Sequence, residues 1–186
     1  LEQAARAAKQ KSLALAATFA VGQLSEFLDA TFRDAGLPVK LAEAPYHQVL
    51  ASLLDPSGVF AQPDCSAHVV LLRGVDLVRY SNSWDERRLA ELADEYFAAF
   101  GRVAERAGGQ LPILVGFLPD ASNDPRFAAW DEKLAGRLAK LPGVEVLRGD
   151  DWSKFYPVED RFDSEADAMG HLPFTPAFVA SVALTV

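Results

Sequence analysis

The feature that most constrains this chain is a regular exchange. Short apolar runs rich in Val, Ile and Leu alternate with longer segments whose apolar residues return at helical spacing. Strands apolar on both faces need cover on both sides, so the pattern predicts a parallel sheet between two layers of helices. Five runs qualify as strands, at residues 13–17, 39–43, 68–73, 113–117 and 144–147. Helical period predicts helices at 23–35, with Leu24, Phe27, Leu28 and Phe32 on one face, at 46–54, at 85–108 and at 124–141. Gly36, Gly108 and Gly143 stand where three of those helices should stop, each just before a strand. Five β-α units in 186 residues predict one three-layer α/β/α sandwich with a five-stranded parallel sheet, flavodoxin-like or SGNH-like, its hand set by right-handed crossovers. Residues 56–66, without period, predict a loop at the sheet edge. Residues 1–11 are Ala-rich with Arg6, Lys9 and Lys11 and predict a linker helix, which divides the chain into residues 1–12 and a domain at 13–186. With no initiating Met, that leading helix reads as the cut edge of a longer chain.

Composition narrows the function classes. Against 26 Asp and Glu there are 18 Lys and Arg, a net charge of −8, and no basic cluster breaks the balance. Such a surface repels phosphates, which argues against nucleic acid and anionic membranes as partners. The apolar runs fall far short of the ~20 residues that cross a bilayer. A single cysteine, Cys65, excludes an internal disulfide and a Cys-rich zinc site. No glycine-rich phosphate loop is present, and the first strand is followed by Ala17-Thr18-Phe19-Ala20 instead of the Asp-x-Asp of a phosphoryl-transfer metal site. The expectation is a cytoplasmic α/β domain.

In open parallel sheets the ligand crevice lies at the carboxyl ends of the strands. There stand Thr18 and Phe19 after the first strand, Tyr46, His47 and Gln48 after the second, and Arg73 and Asp76 after the third. A final polar stretch carries Asp163, Glu165, Asp167 and His171 before an apolar closing helix. Two readings stay open. In one, Thr18 supplies a hydroxyl, His171 is its base and Asp167 or Asp163 orients the imidazole. In the other, Thr18 caps a helix, His171 ties the last loop to the core, and Arg73 and Asp76 satisfy each other as a pair. Phe19, Tyr46, Gln48, Arg73 and Asp76 are the substrate-binding candidates, with Tyr46 to Gln48 equally explained by the first turn of a helix. His68 reads as structural, and Asp150 with Trp152 reads as a helix cap followed by an aromatic anchor.

The strings Ala16-Ala-Thr-Phe19, Ala44-Pro-Tyr-His-Gln-Val-Leu50, Leu53-Leu-Asp-Pro-Ser57, Val69-Val-Leu-Leu-Arg73 and Gly170-His-Leu-Pro-Phe-Thr175, in that order, resemble the SGNH-hydrolase-like domain that precedes the phosphatase-like domain of FkbH-like proteins. Similar domains occur within modular polyketide synthases and nonribosomal peptide synthetases. The resemblance implies a five-stranded α/β/α fold and proximity to carrier-protein chemistry, in which an acyl group moves to or from a phosphopantetheine thiol. It implies no cofactor in the chain itself, a phosphopantetheine-tethered substrate, and a carrier protein or flanking synthase domains as partners. Active relatives use a Gly-Asp-Ser block, a glycine, a Gly-x-Asn-Asp block and a final Asp-x-x-His. Here Thr18 stands near the nucleophile position, residues 46–48 replace the glycine, residues 73–76 lack the oxyanion Asn, and Asp167 is four residues before His171. The terminal His171 matches residue by residue and Asp76 less closely. Each lost oxyanion donor costs about 10²–10³ in rate, so the resemblance implies degenerate catalytic blocks and a binding role, with acyl hydrolysis or transfer based on His171 as the alternative.

Overall fold

The structure, a computed structural model, describes residues 11–81 and 84–186. Five strands, β1 (Lys11–Ala17), β2 (Val39–Glu43), β3 (Cys65–Leu72), β4 (Ile113–Phe117) and β5 (Val144–Arg148), form one sheet in the order β2-β1-β3-β4-β5. Every neighbouring pair is parallel. The helices are α1 (Gly22–Asp34), α2 (Val49–Leu54), α3 (Glu86–Ala107), α4 (Pro125–Leu138), α5 (Ser164–Gly170) and α6 (Pro176–Thr185).

Strand periodicity divides the core in two. Ala14, Ala16, Val70, Leu72, Val115 and Phe117 face α2, α3 and α4, where Leu53, Phe100, Trp130 and Leu134 cover them. Leu13, Leu15, Ala17, Val69 and Leu71 face the other way, against Leu24 and Leu28 of α1 and Phe178 and Val182 of α6. On that second face Trp152 is completely buried, and its indole N–H donates to the Phe117 carbonyl at 2.8 Å. Gly116 makes room for it: a Cβ there would lie 2.4 Å from the Trp152 ring.

Most of the expected helix ends hold to within a residue. Asp85 and Asp124 cap α3 and α4 by accepting from Arg88 N and Arg126 N, and Gly108 ends α3 in the left-handed region. The α4 helix stops at Leu138, short of the expected 141 and of Gly143. Four other expectations are corrected. The start of β1 is Lys11, so Lys11 and Ser12 belong to the sheet; the rest of the expected linker helix lies outside the described residues. Residues 56–66 do not lie at a sheet edge but lead into the central strand β3, with Phe60 buried in the core. The α2 helix begins at Val49 and not at Tyr46, because His47 adopts a left-handed φ of 57° that a helix cannot continue. The cap near β5 is made by Asp151, whose carboxylate accepts from Arg148 N at 3.0 Å, with Trp152 as the anchor.

Candidate functional site

The chain turns to opposite faces of the sheet after β1 and after β3, which makes the gap between their carboxyl ends the topological switch point. Thr18 leaves β1 there and Arg73 leaves β3. The Arg73 backbone N–H donates to Thr18 Oγ1 at 3.0 Å, and Thr18 Oγ1 donates to Asp76 Oδ2 at 3.0 Å. A 3-10 turn at Gly74–Val78 folds Asp76 back beneath the strand ends, where it is 0 % exposed. Asp76 Oδ1 accepts from Arg73 Nε at 3.0 Å and from Nη2 at 2.7 Å. Burying this carboxylate is tolerable because its charge is paired and both oxygens accept hydrogen bonds.

His171 arrives from far along the chain. An antiparallel bridge between Phe162 and Phe174 clasps the two ends of the α5 segment, and Asp163 caps α5 by accepting from Ala166 N. His171 then ends α5 with a left-handed φ of 54°, a conformation usually left to glycine, and its carbonyl accepts from Ala20 N at 3.0 Å. The backbone therefore fixes the imidazole against the loop after β1. Nε2 of His171 lies 2.9 Å from Asp76 Oδ1, off the alignment of a full hydrogen bond. On the other side Nδ1 meets the Tyr46 hydroxyl at 2.5 Å, and that hydroxyl meets Tyr80 Oη at 2.8 Å. His47 packs its ring edge-on to Tyr80.

Around this line runs an ionic network. Arg73 Nη2 also donates to Asp167 Oδ2 at 3.0 Å, and Arg79 donates to Asp167 Oδ1 and to its backbone carbonyl, each at 2.6 Å. Two guanidinium groups thus balance two carboxylates. Burial pushes the Asp167 carboxyl up, but the charges and hydrogen bonds of Arg73 and Arg79 outweigh it and hold the group below the usual range. For Tyr46, burial first and then the Tyr80 hydroxyl push the phenol up to about 12.

Next to His171 a cleft of about 310 Å³ opens between the ends of β1 and β2, lined by Phe19, Ala20, Gly22, Ala44, Tyr46 and Gly170. A larger cleft of about 720 Å³ lies at the ends of β4 and β5, lined in part by Asp120, Asp124, Asp131 and Asp151. There Asp131 is pushed up to about 8 by burial and then by Asp120, and its Oδ1 has no partner. Among the described residues no cluster of three or more His, Cys, Asp or Glu side chains is arranged to hold a metal.

The sequence-selected residues meet this geometry unevenly. Thr18, Arg73, Asp76, Asp167, His171 and Tyr46 form one connected cluster, and Phe19 and Tyr46 line the cleft. Gln48 stays exposed before α2 and does not line that cleft. The carboxylate beside His171 is that of Asp76, not Asp167, which the two arginines claim. Arg73 and Asp76 are buried and paired with each other, and each also holds a further partner, Asp167 for Arg73 and Thr18 for Asp76. Arg79 and Tyr80 escaped the sequence reading because they follow the strand end by a whole turn; the adjacent Arg-Tyr pair just beyond Asp76 was the only local cue.

Comparison with known proteins places the fold. No protein-family model matches the chain, and no curated protein matches it in sequence. Among solved structures, the N-terminal part of the protein BF1531 from Bacteroides fragilis, described as containing a phosphatase domain complexed with Mg, is similar at a TM-score of 0.73 and 14% identity, over 94% of this chain and 50% of that one. The salicylyl-acyltransferase SsfX3 from a tetracycline biosynthetic pathway is similar at a TM-score of 0.57 and 14% identity, over 96% of this chain and 54% of that one. The chain therefore shares an α/β three-layer fold with both and spans about half the length of each. No described helix is long and apolar enough to cross a membrane.

Proposed function

We propose that this chain is an SGNH-like accessory domain of a polyketide synthase, nonribosomal peptide synthetase or FkbH-like protein. With degenerate catalytic blocks, it binds a carrier protein, a neighbouring domain or a tethered acyl group at the rim where β1 and β3 end. The observation that carries this reading is the state of Thr18. It is buried, and its hydroxyl donates to Asp76 and accepts from Arg73, so the one hydroxyl at the expected nucleophile position works for the fold. A fold shared with a biosynthetic acyltransferase supports the reading, as does the span of about half of each longer neighbour. The ligand in this reading is a phosphopantetheine-tethered acyl thioester, whose slender, uncharged pantetheine part suits a cleft of about 310 Å³. Arg88 on α3 is paired with Glu95 and Glu91, so that face has mixed charge, and contact with a carrier protein rests on the exposed Tyr46, Tyr80 and Met169 of the rim.

A second reading, an active acyl hydrolase or acyltransferase with His171 as base, is favoured by the approach of His171 to Asp76 beside an open cleft. Titration of an isotopically labelled domain with a short acyl-pantetheine thioester tests the first reading. Amide shifts should change at Phe19, Ala20, Gly22, Ala44 and Gly170, and a spectrum that stays unchanged at millimolar ligand would overturn it. Turnover of the same thioester that disappears in His171→Ala would establish the second.

A further inference from the structure

Resting on the acyl-binding reading of the cleft, the geometry gives a reacting role to a residue that the sequence marked only for substrate binding. We propose that Tyr46, not Thr18, is the hydroxyl on which His171 and Asp76 act, and that it accepts an acyl group from a thioester as a phenolic ester.

The order of the contacts carries the argument. Asp76 is fully buried and accepts two bonds from Arg73 and one from Thr18. The His171 nitrogen 2.9 Å from it is Nε2, and an N–H there suits the contact, whereas a lone pair turned on that oxygen would be repelled. In the tautomer that turns N–H at Nε2 toward that carboxylate, Nδ1 accepts, and the 2.5 Å contact is the Tyr46 hydroxyl donating to His171. With Tyr46 donating to His171, its oxygen is left to accept from Tyr80 at 2.8 Å. The order Tyr46, His171, Asp76 reproduces hydroxyl, base and orienting carboxylate, with the base reached through its other nitrogen. Thr18 occupies no place in that order, because its proton already goes to Asp76.

Tyr46 is also where a substrate can reach it. It is 48 % exposed and lines the cleft beside Phe19 and Gly170. Its phenol, pushed up to about 12, is neutral near pH 7 but remains a stronger acid than an aliphatic hydroxyl. In the step, the Tyr46 oxygen bonds to the acyl carbon as its proton passes to His171 Nδ1. The C–S bond of the thioester breaks, and the departing thiolate takes that proton. The products are a Tyr46 acyl ester and a free thiol. A phenolic ester is itself an activated acyl donor, so an incoming amine, alcohol or water can release the acyl group and restore Tyr46.

Mass spectrometry of the domain after incubation with an acyl N-acetylcysteamine thioester tests this, in a Cys65→Ser background that removes the only thiol. The expected result is one acyl increment on the peptide containing Tyr46, lost in Tyr46→Phe and formed at least ~100-fold more slowly in His171→Ala. Tyr46→Phe keeps the ring of a half-exposed side chain, so folding is not in question; circular dichroism checks His171→Ala. Labelling at Thr18, or labelling unchanged in Tyr46→Phe, overturns the proposal. Cleft amides that shift with the thioester while no adduct forms overturn it and leave the acyl-binding reading standing; no adduct and no shift overturn both.

Discussion

His68 and His171 are equally withdrawn from water, at 3 % and 4 % exposure, yet burial gives them opposite chemistry. His68 sits inside β3 with the Phe60 ring edge-on and no hydrogen bond to Nδ1. Burial, with Arg106 adding to it, pushes its imidazole down to about 4, so it is a neutral core side chain. His171 has a carboxylate on one nitrogen and a phenol on the other, at the mouth of a cleft. The difference is topological. His68 stands four residues before the carboxyl end of its strand, whereas His171 is held over the carboxyl ends, where the loops bring polar groups together. A buried histidine therefore signals a site only when its partners are polar and its position is at the rim.

Removing the partner of His171 should have the largest effect. Asp76→Ala takes from the buried Arg73 guanidinium the oxygen that accepts both its Nε and Nη2 bonds and leaves it only the half-buried Asp167, and the expected loss is about 3–5 kcal/mol of unfolding free energy, measured by denaturant titration. A loss below ~1 kcal/mol would mean that the network is solvated and that the two histidines differ less than their surroundings suggest.

His68 gives the complementary test. Its imidazole is lower in the folded than in the unfolded chain, so its contribution is intact above the unfolded value near 6.5 and is lost as pH falls toward about 4. The wild-type protein should lose on the order of 3 kcal/mol more than His68→Leu between pH 7.5 and 4. Parallel stability-versus-pH curves for the two proteins would show that His68 finds a proton acceptor in the core.

A smaller effect should come from Asp131, a carboxylate withdrawn from water without a partner for Oδ1. Because its folded value is raised to about 8, its contribution is full below about pH 4 and is lost as pH rises through about 8. Asp131→Asn should stabilise the protein at pH 8 by about 1–2 kcal/mol, after discounting for partial exposure, and by nothing at pH 4. Thermal melts at the two pH values read this directly, and equal melting shifts at both would contradict it.

Much of the layout was legible in the residues. Strands and long helices announce themselves by local period, and Asp85, Asp124 and Gly108 mark helix ends through bonds that span two or three residues. The rim could be selected too, since carboxyl ends follow from strand order. The pairing at the rim was another matter. Asp167 is near His171 in sequence and was the expected orienting carboxylate, but two arginines from beyond β3 take it. Tyr46 looked like the first turn of a helix until His47 adopted a left-handed backbone and turned the phenol toward His171.

The sequence by itself determined the α/β sandwich, the number of strands and the edge of the sheet on which polar side chains collect, because these follow from periodicity and chain direction. Only the tertiary structure decided which polar groups meet. Thr18 bonds to a carboxylate 58 residues away, and Tyr46 to an imidazole 125 residues away. No local rule reaches across such separations. The choice among nearby carboxylates is made by the charges that share the same few cubic ångströms, and the competing guanidinium groups arrive there only when the sheet has formed.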